Sequence, residues 1–272
     1  MDEKHKQLNA KWPKCSKRNP KNNGRGTWDM SEPWERSAKV TDASRRSQTI
    51  HLARVCILAY EKGSELKADD PERKYKARTG LLGDNITDTW YQEAEMEGRG
   101  SAPPAVEDSR ALDAFSLLPG YRATFADAES AYLQAYLNSK FETWVSIPRE
   151  YWPADWHGKY TDPVCRLVLA LYGHGDSGGY WEEKCYGEVE ACGWKKIRRG
   201  VFWMEKLRAV LMIYVDDFKL VCHVKDEVKL WAALQERLVL DKPKVSMRFL
   251  GCNSRRFKAP LSSFQGRDGE HP

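Results

Sequence analysis

Apolar residues come in short blocks separated by charged or Gly- and Pro-containing breaks, a rhythm that predicts strands and short helices. Residues 211–215 and 218–222 are two such blocks, rich in β-branched and aromatic side chains, around the adjacent acids Asp216 and Asp217. They predict a hairpin with both acids at or near its turn. Upstream, residues 122–126 predict a strand ending at Asp127. Residues 130–138 predict a helix with Leu133, Tyr136 and Leu137 toward a core. An earlier strand is expected over residues 51–60, centred on Val55-Cys56-Ile57-Leu58. Residues 74–78 follow the turn-like Asp69-Asp70-Pro71. If they are extended, alternation sets Lys76 and Arg78 on one face and Tyr75 and Ala77 on the other.

Downstream, residues 194–197 and 201–204 around Arg198-Arg199-Gly200 predict a second hairpin, feeding the first. A helix starts at Asp176 or Ser177, carries Glu182 and Glu183 early and stops before Gly193. A further helix over residues 226–240 has Val228, Trp231, Leu234 and Leu238 at helical spacing, a stripe that reads as core, and ends before Pro243. Residues 245–251 supply another strand. Residues 84–120 read as an acidic, partly helical connector broken at Pro103-Pro104. Residues 27–50 hold Trp28, Pro33 and Trp34 without periodicity and predict no element.

At 272 residues, 41% hydrophobic and 31% charged, the chain can build one or two domains with a core. No apolar run is long enough for a membrane span, and the start Met-Asp-Glu-Lys-His-Lys has no secretory apolar region. An intracellular protein without a membrane partner is expected, its compartment open between a cytoplasmic particle and the nucleus. The seven cysteines are scattered and never form Cys-x-x-Cys, so they read as reduced thiols; Cys185 and Cys192 have the wrong spacing for a zinc knuckle. Charge is uneven. Residues 1–26 hold eight Lys or Arg against two acids, and residues 84–113 hold eight acids against two Arg. The basic arm reads as a solvated lead-in that can add sequence-independent attraction to nucleic acid.

Asp is a common turn residue for backbone reasons alone. Two carboxylates at the tip of an apolar hairpin are a different matter, because desolvation makes their charge costly unless a cation compensates. A hard divalent ion such as Mg²⁺ suits carboxylate oxygens and leaves positions for phosphate. Asp127 is either the N-cap of the following helix or a further ligand, and the acidic hairpin favours the ligand. Adjacent side chains on a straight strand face opposite ways, which ranks Asp127 and Asp216 ahead of Asp217.

Tyr214-Val215-Asp216-Asp217 between apolar strands resembles the active-site hairpin of reverse transcriptases. Residues 123–137, where a strand ends in Asp127 and leads to Ala131-Tyr132-Leu133, resemble the second metal-binding segment. Val145-Ser146-Ile147-Pro148, Val164-Cys165-Arg166-Leu167, Ala170-Leu171-Tyr172-Gly173 and Phe249-Leu250-Gly251 complete an ordered set. Over residues 73–251 that set resembles the reverse-transcriptase region of copia-type retrotransposons.

The resemblance implies an α+β fold, a right-hand polymerase palm of antiparallel sheet with helices on one face, plus partial fingers and a thumb that is absent or incomplete. Its expected layout is a poorly ordered basic lead-in at 1–50, partial fingers and acidic connector at 51–120, a palm-like catalytic region at 121–252 and a disordered tail at 253–272. It implies an RNA-directed DNA polymerase fragment of a Pol polyprotein, using an RNA template, a DNA primer and deoxynucleoside triphosphates. The alternative is an inactive remnant that at most binds nucleic acid. Asp127, Asp216 and Asp217 would be the catalytic residues and the ligands of two Mg²⁺ ions, or of Mn²⁺ in their place. Lys76 and Arg78 would meet the triphosphate, Tyr132 would crowd a ribose 2′-hydroxyl, and Phe249, Leu250 and Gly251 would lie at the primer. Two departures stand out: Asp176 occupies the position nearest to a loop Gln of the family, and Thr79-Gly80-Leu81-Leu82-Gly83 interrupts an apolar finger strand. His174 reads simply as a loop residue.

Overall fold

The computed structural model describes residues 26–253, apart from 68, 71, 72, 101, 102, 246, 247 and 251. In chain order it begins with β1 (Trp28–Glu35), α1 (Arg36–Arg45), β2 (Ile50–Lys62), β3 (Lys74–Leu81) and α2 (Val106–Phe115). Then come β4 (Tyr121–Asp127), β5 (Glu142–Ser146), β6 (Pro163–Leu167), α3 (Ser177–Ala191), β7 (Lys195–Arg198) and β8 (Val201–Met204). The remaining elements are β9 (Ala209–Tyr214), β10 (Asp217–His223), α4 (Glu227–Arg237) and the short pair β11 (Arg248–Phe249) and β12 (Cys252–Asn253).

Two five-stranded sheets result, ordered β4-β10-β9-β8-β7 and β1-β6-β5-β2-β3. The first is antiparallel throughout. On one face Ala126, Leu211, Ile213, Phe218 and Leu220 pack against Trp181 and Val189 of α3 and Trp231 and Leu234 of α4. On the other, Phe125, Met212 and Val221 pack against Leu112 of α2 and against Phe249. Helices therefore cover both faces, where one covered face was expected. The reason lies in β9 and β10, whose apolar runs are continuous instead of alternating, the mark of a strand buried on both sides. Lys219 is the exception within that run. It is 1% exposed, and its ammonium donates to the Ser109 carbonyl (3.0 Å), to Ser109 Oγ (3.1 Å) and to Asp113 (2.7 Å), tying α2 to the sheet.

The second sheet contains one parallel pair, β2 with β5. It revises the expected layout twice. Within residues 121–252, expected to form one palm-like region, β5 and β6 belong to this sheet and not to the first. Within residues 1–50, β1 pairs with β6 and α1 follows directly, so residues 28–45 are structured; residues 1–25 lie outside the described ones. Tertiary pairing, with Trp28 buried, builds β1 where no local periodicity announced it.

The helix expected over 130–138 is also absent. Ser130 is left-handed (φ 52) and only a 3-10 turn, Ala131–Gln134, follows. The Gln134 amide donates to the carbonyls of Glu129 (2.9 Å) and Val239 (3.0 Å), while the Ala170 and Leu137 N–H groups bond across to Ala135 and Val168. Pairing with residues 168–170 outweighs local helix propensity. In α4, Val228 is 80% exposed and does not join the stripe to which it was assigned. No described helix is long and apolar enough to cross a membrane.

Candidate active site

The β9–β10 hairpin turns through two residues, Val215 and Asp216, with Tyr214 paired to Asp217. Val215 has φ 55. A two-residue hairpin turn needs positive φ at its first position, which usually brings glycine there. A β-branched residue in that conformation costs on the order of 1–2 kcal/mol. The indole N–H of Trp181, itself 1% exposed, donates to the Val215 carbonyl at 2.7 Å and clamps the turn from α3. Strain held by a buried clamp marks a tip whose shape is imposed by its surroundings.

Across the sheet, Asp217 pairs with Asp127. The Ala128 N–H donates to the Asp216 carbonyl at 2.7 Å, and Phe125 directs its N–H and carbonyl outward to Lys244. Pairs 124, 126 and 128 are thus the hydrogen-bonded ones, and Asp127–Asp217 is a non-hydrogen-bonded pair, the type with the closer side chains. Asp127 turns its backbone outward to Asp241: its N–H donates to Asp241 Oδ1 (2.8 Å) and its carbonyl accepts the Asp241 N–H (2.8 Å). No helix starts at Asp127, which removes the N-cap reading.

Like charges directly opposite across strands repel. Burial first, then hydrogen bonding with Asp127 and the charges of Asp216 and Asp127, push the Asp217 carboxyl up to about 7. Asp127 Oδ1 is buried with no hydrogen-bond partner among the described residues. An orphaned carboxylate oxygen beside a second, crowded carboxylate fits a hard cation, and oxygen-only donors fit Mg²⁺ or Mn²⁺ better than a soft metal. The described His, Cys, Asp and Glu side chains do not converge in threes on one point; the aspartates form a pair, with Asp216 exposed on the turn beside it.

An aromatic pair lies within reach of the Asp216 charge. The Tyr132 and Tyr172 rings lie 4.7 Å apart at 34°. Burial, followed by the charge of Asp216, raises both phenols, with Arg78 opposing the effect at Tyr172. The Arg78 guanidinium sits 5.8 Å from the Tyr172 ring and 5.9 Å from that of Tyr60. Ring contacts therefore run from Tyr132 through Tyr172 to a cation on β3, and the Asp216 charge reaches both phenols.

The glycines that interrupt the β3 run join it to this site. Tyr172 accepts the Leu81 N–H at 2.7 Å. A Cβ on Gly80 would stand 3.0 Å from the Tyr172 carbonyl, and one on Gly83 only 2.3 Å from that of Gly173. These positions let β3 and the Tyr172 loop touch backbone to backbone.

His174 is no ordinary loop histidine: it is 5% exposed. Asp176 caps α3 by position, but its carboxylate accepts the N–H groups of Glu97 and Arg99, both at 3.0 Å, and so straps the acidic connector across the start of α3.

No family model matches the sequence, and neither does any curated protein. Among solved structures, the chain is similar to telomerase from Candida albicans, solved in complex with a TWJ fragment of telomeric RNA. The TM-score is 0.43 at 9% identity, over 90% of this chain and 47% of that one. This chain thus spans about half the length of the structure it resembles.

The fold brings Asp127, Asp216, Asp217, Tyr132 and Arg78 into one neighbourhood. Asp217, ranked last from alternation along one strand, is the residue opposite Asp127; pairing between strands decided it. Lys76 shares the Arg78 face of β3 by alternation, opposite Tyr60. Phe249 is 3% exposed and packs on Phe125 at 6.0 Å, while Leu250, at φ 48, is half-buried beside it; Gly251 lies outside the described residues. Tyr172 and Trp181 had no role assigned from sequence. Their partners are 40 and 34 residues away, so only the tertiary fold reveals them.

Proposed function

We propose that this chain is the nucleotidyl-transfer region of a copia-like reverse transcriptase, adding deoxynucleotides to a DNA primer on an RNA template. The observation that carries the reading is the Asp127–Asp217 pair beside the turn strained at Val215, with one oxygen of Asp127 buried and, among the described residues, unpartnered. In this reading Asp127, Asp216 and Asp217 hold two Mg²⁺ ions, which when bound supply Lewis acidity toward the primer 3′-hydroxyl and the triphosphate. Lys76 and Arg78 neutralise triphosphate charge from the finger strand. Tyr132 lines the sugar. Trp181 fixes the turn, so that the carboxylates are in place before substrate arrives. Of the residues expected at the primer, the half-buried Leu250 offers a contact surface, and Phe249 serves beneath it as core.

A second reading is a folded remnant of the same element that binds nucleic acid without polymerising, the rest of the Pol polyprotein being its natural context. The engagement of Asp176 by the connector favours it, because the position nearest the family's loop Gln is thereby spent on structure. Primer extension on an RNA template with Mg²⁺, run beside a salt titration of nucleic-acid binding, decides. Extension by the natural chain that Asp216→Asn abolishes supports the polymerase. Binding with a steep salt dependence and no extension supports the remnant. Extension unchanged by Asp216→Asn overturns the site assignment.

A further inference from the structure

Resting on that reading, we infer that Tyr172 is a positioning residue for sugar selection, acting through Tyr132. A half-buried tyrosine next to a substrate sugar can exclude a 2′-hydroxyl only if it cannot swing aside, since ring rotation costs little where the far side is empty. Here the space beside the ring is filled: the Tyr172 ring lies 4.7 Å from Tyr132, at a tilt of 34°.

Tyr172 is itself held in several ways. Its carbonyl accepts the Leu81 N–H at 2.7 Å. The preceding residue, Leu171, is bonded through both its N–H (2.9 Å) and its carbonyl (2.8 Å) to the buried Ser177 hydroxyl. The following residue, Gly173, at φ 92, has room for no side chain, because a Cβ there would stand 2.2 Å from the Leu81 carbonyl. On the ring side, the Arg78 guanidinium is 5.8 Å from the centroid. Backbone anchoring and a cation beside the ring restrain Tyr172, and Tyr172 passes that restraint to Tyr132. The same contact links the sugar side of the site to the finger strand that would carry triphosphate charge.

The test is single-nucleotide incorporation opposite a fixed template base, comparing kcat/KM for a deoxynucleotide and the matching ribonucleotide. Tyr172→Ala should raise the relative use of ribonucleotide by about tenfold, the scale on which a small change in pocket packing alters discrimination. The readout is the ratio of the two kcat/KM values, and Tyr172→Phe, which keeps the ring against Tyr132, should retain natural discrimination. If Tyr172→Ala fails to fold by thermal melt, Tyr172→Leu, with most of the buried volume kept, carries the same expectation. An unchanged ratio in the Ala or Leu variant, where Tyr132→Val does alter it, overturns this inference and leaves the polymerase reading intact. Loss of both nucleotides in equal proportion also overturns it. No incorporation and no binding of fluorescent nucleotides by the natural chain removes the polymerase reading and this inference together.

Discussion

Acidification should destabilise this protein through His174, in the loop that carries Tyr172. The Asp176 N–H donates to His174 Nδ1 at 3.2 Å, so that nitrogen is an acceptor; Nε2 then carries the proton and faces Thr143 Oγ1, also at 3.2 Å. Protonating Nδ1 would set two N–H groups against each other and place a charge in a buried site. Burial accordingly lowers the imidazole to about 4; the charges of Asp176 and Glu97 oppose the shift and His51 adds to it. In the unfolded chain the same group titrates near 6.5. Between these values the unfolded chain binds more protons than the native one, so stability is full above about pH 6.5 and is lost as pH falls toward about 4. The loss amounts to about 2 kcal/mol at pH 5 and about 3 kcal/mol at pH 4. Urea unfolding of the natural chain and of His174→Gln, at about pH 7.5 and about pH 5, isolates the effect because the other titrating groups are common to both. The natural chain should lose about 2 kcal/mol more than the variant. Equal losses would refute the buried, neutral histidine.

Three further substitutions probe the supports of the site and the helix that carries them. Trp181→Phe removes the donor to the Val215 carbonyl and should cost about 1–3 kcal/mol in urea unfolding, with faster amide exchange at Asp216 and Asp217; unchanged exchange would mean that the turn is held by something else. Gly173→Ala forces a Cβ to 2.2 Å from the Leu81 carbonyl at φ 92 and should cost on the order of 3 kcal/mol by thermal melt. Gly187→Ala in α3, with nothing within 4 Å, should instead stabilise by about 0.5–1 kcal/mol, and a loss there would contradict the packing.

The central hairpin was legible because a continuous apolar run on each side of an acidic pair leaves few alternatives. Strand β3 and the helix from Ser177 were legible for similar local reasons, in alternation and in punctuation. What sequence could not give was set by long-range pairing. The segment after Asp127 has helical spacing, yet bonds from residues 168–170 and the Gln134 side chain hold it extended after one 3-10 turn. The pairing of Asp127 with Asp217 depends on register between strands 90 residues apart, which alternation along either strand cannot supply. Gly80 and Gly83 looked like flaws in a finger strand because their reason, the Tyr172–Gly173 backbone, lies far along the chain. Strand β1 has no periodicity of its own and exists through its pairing with β6.

The most direct test of the account is the anomalous scattering of Mn²⁺ in crystals of the natural chain, with Asp127→Asn as control. Manganese is expected roughly 2 Å from carboxylate oxygens of both Asp127 and Asp217, and absent from the variant. Manganese bound elsewhere, with none between those two strands, would contradict it.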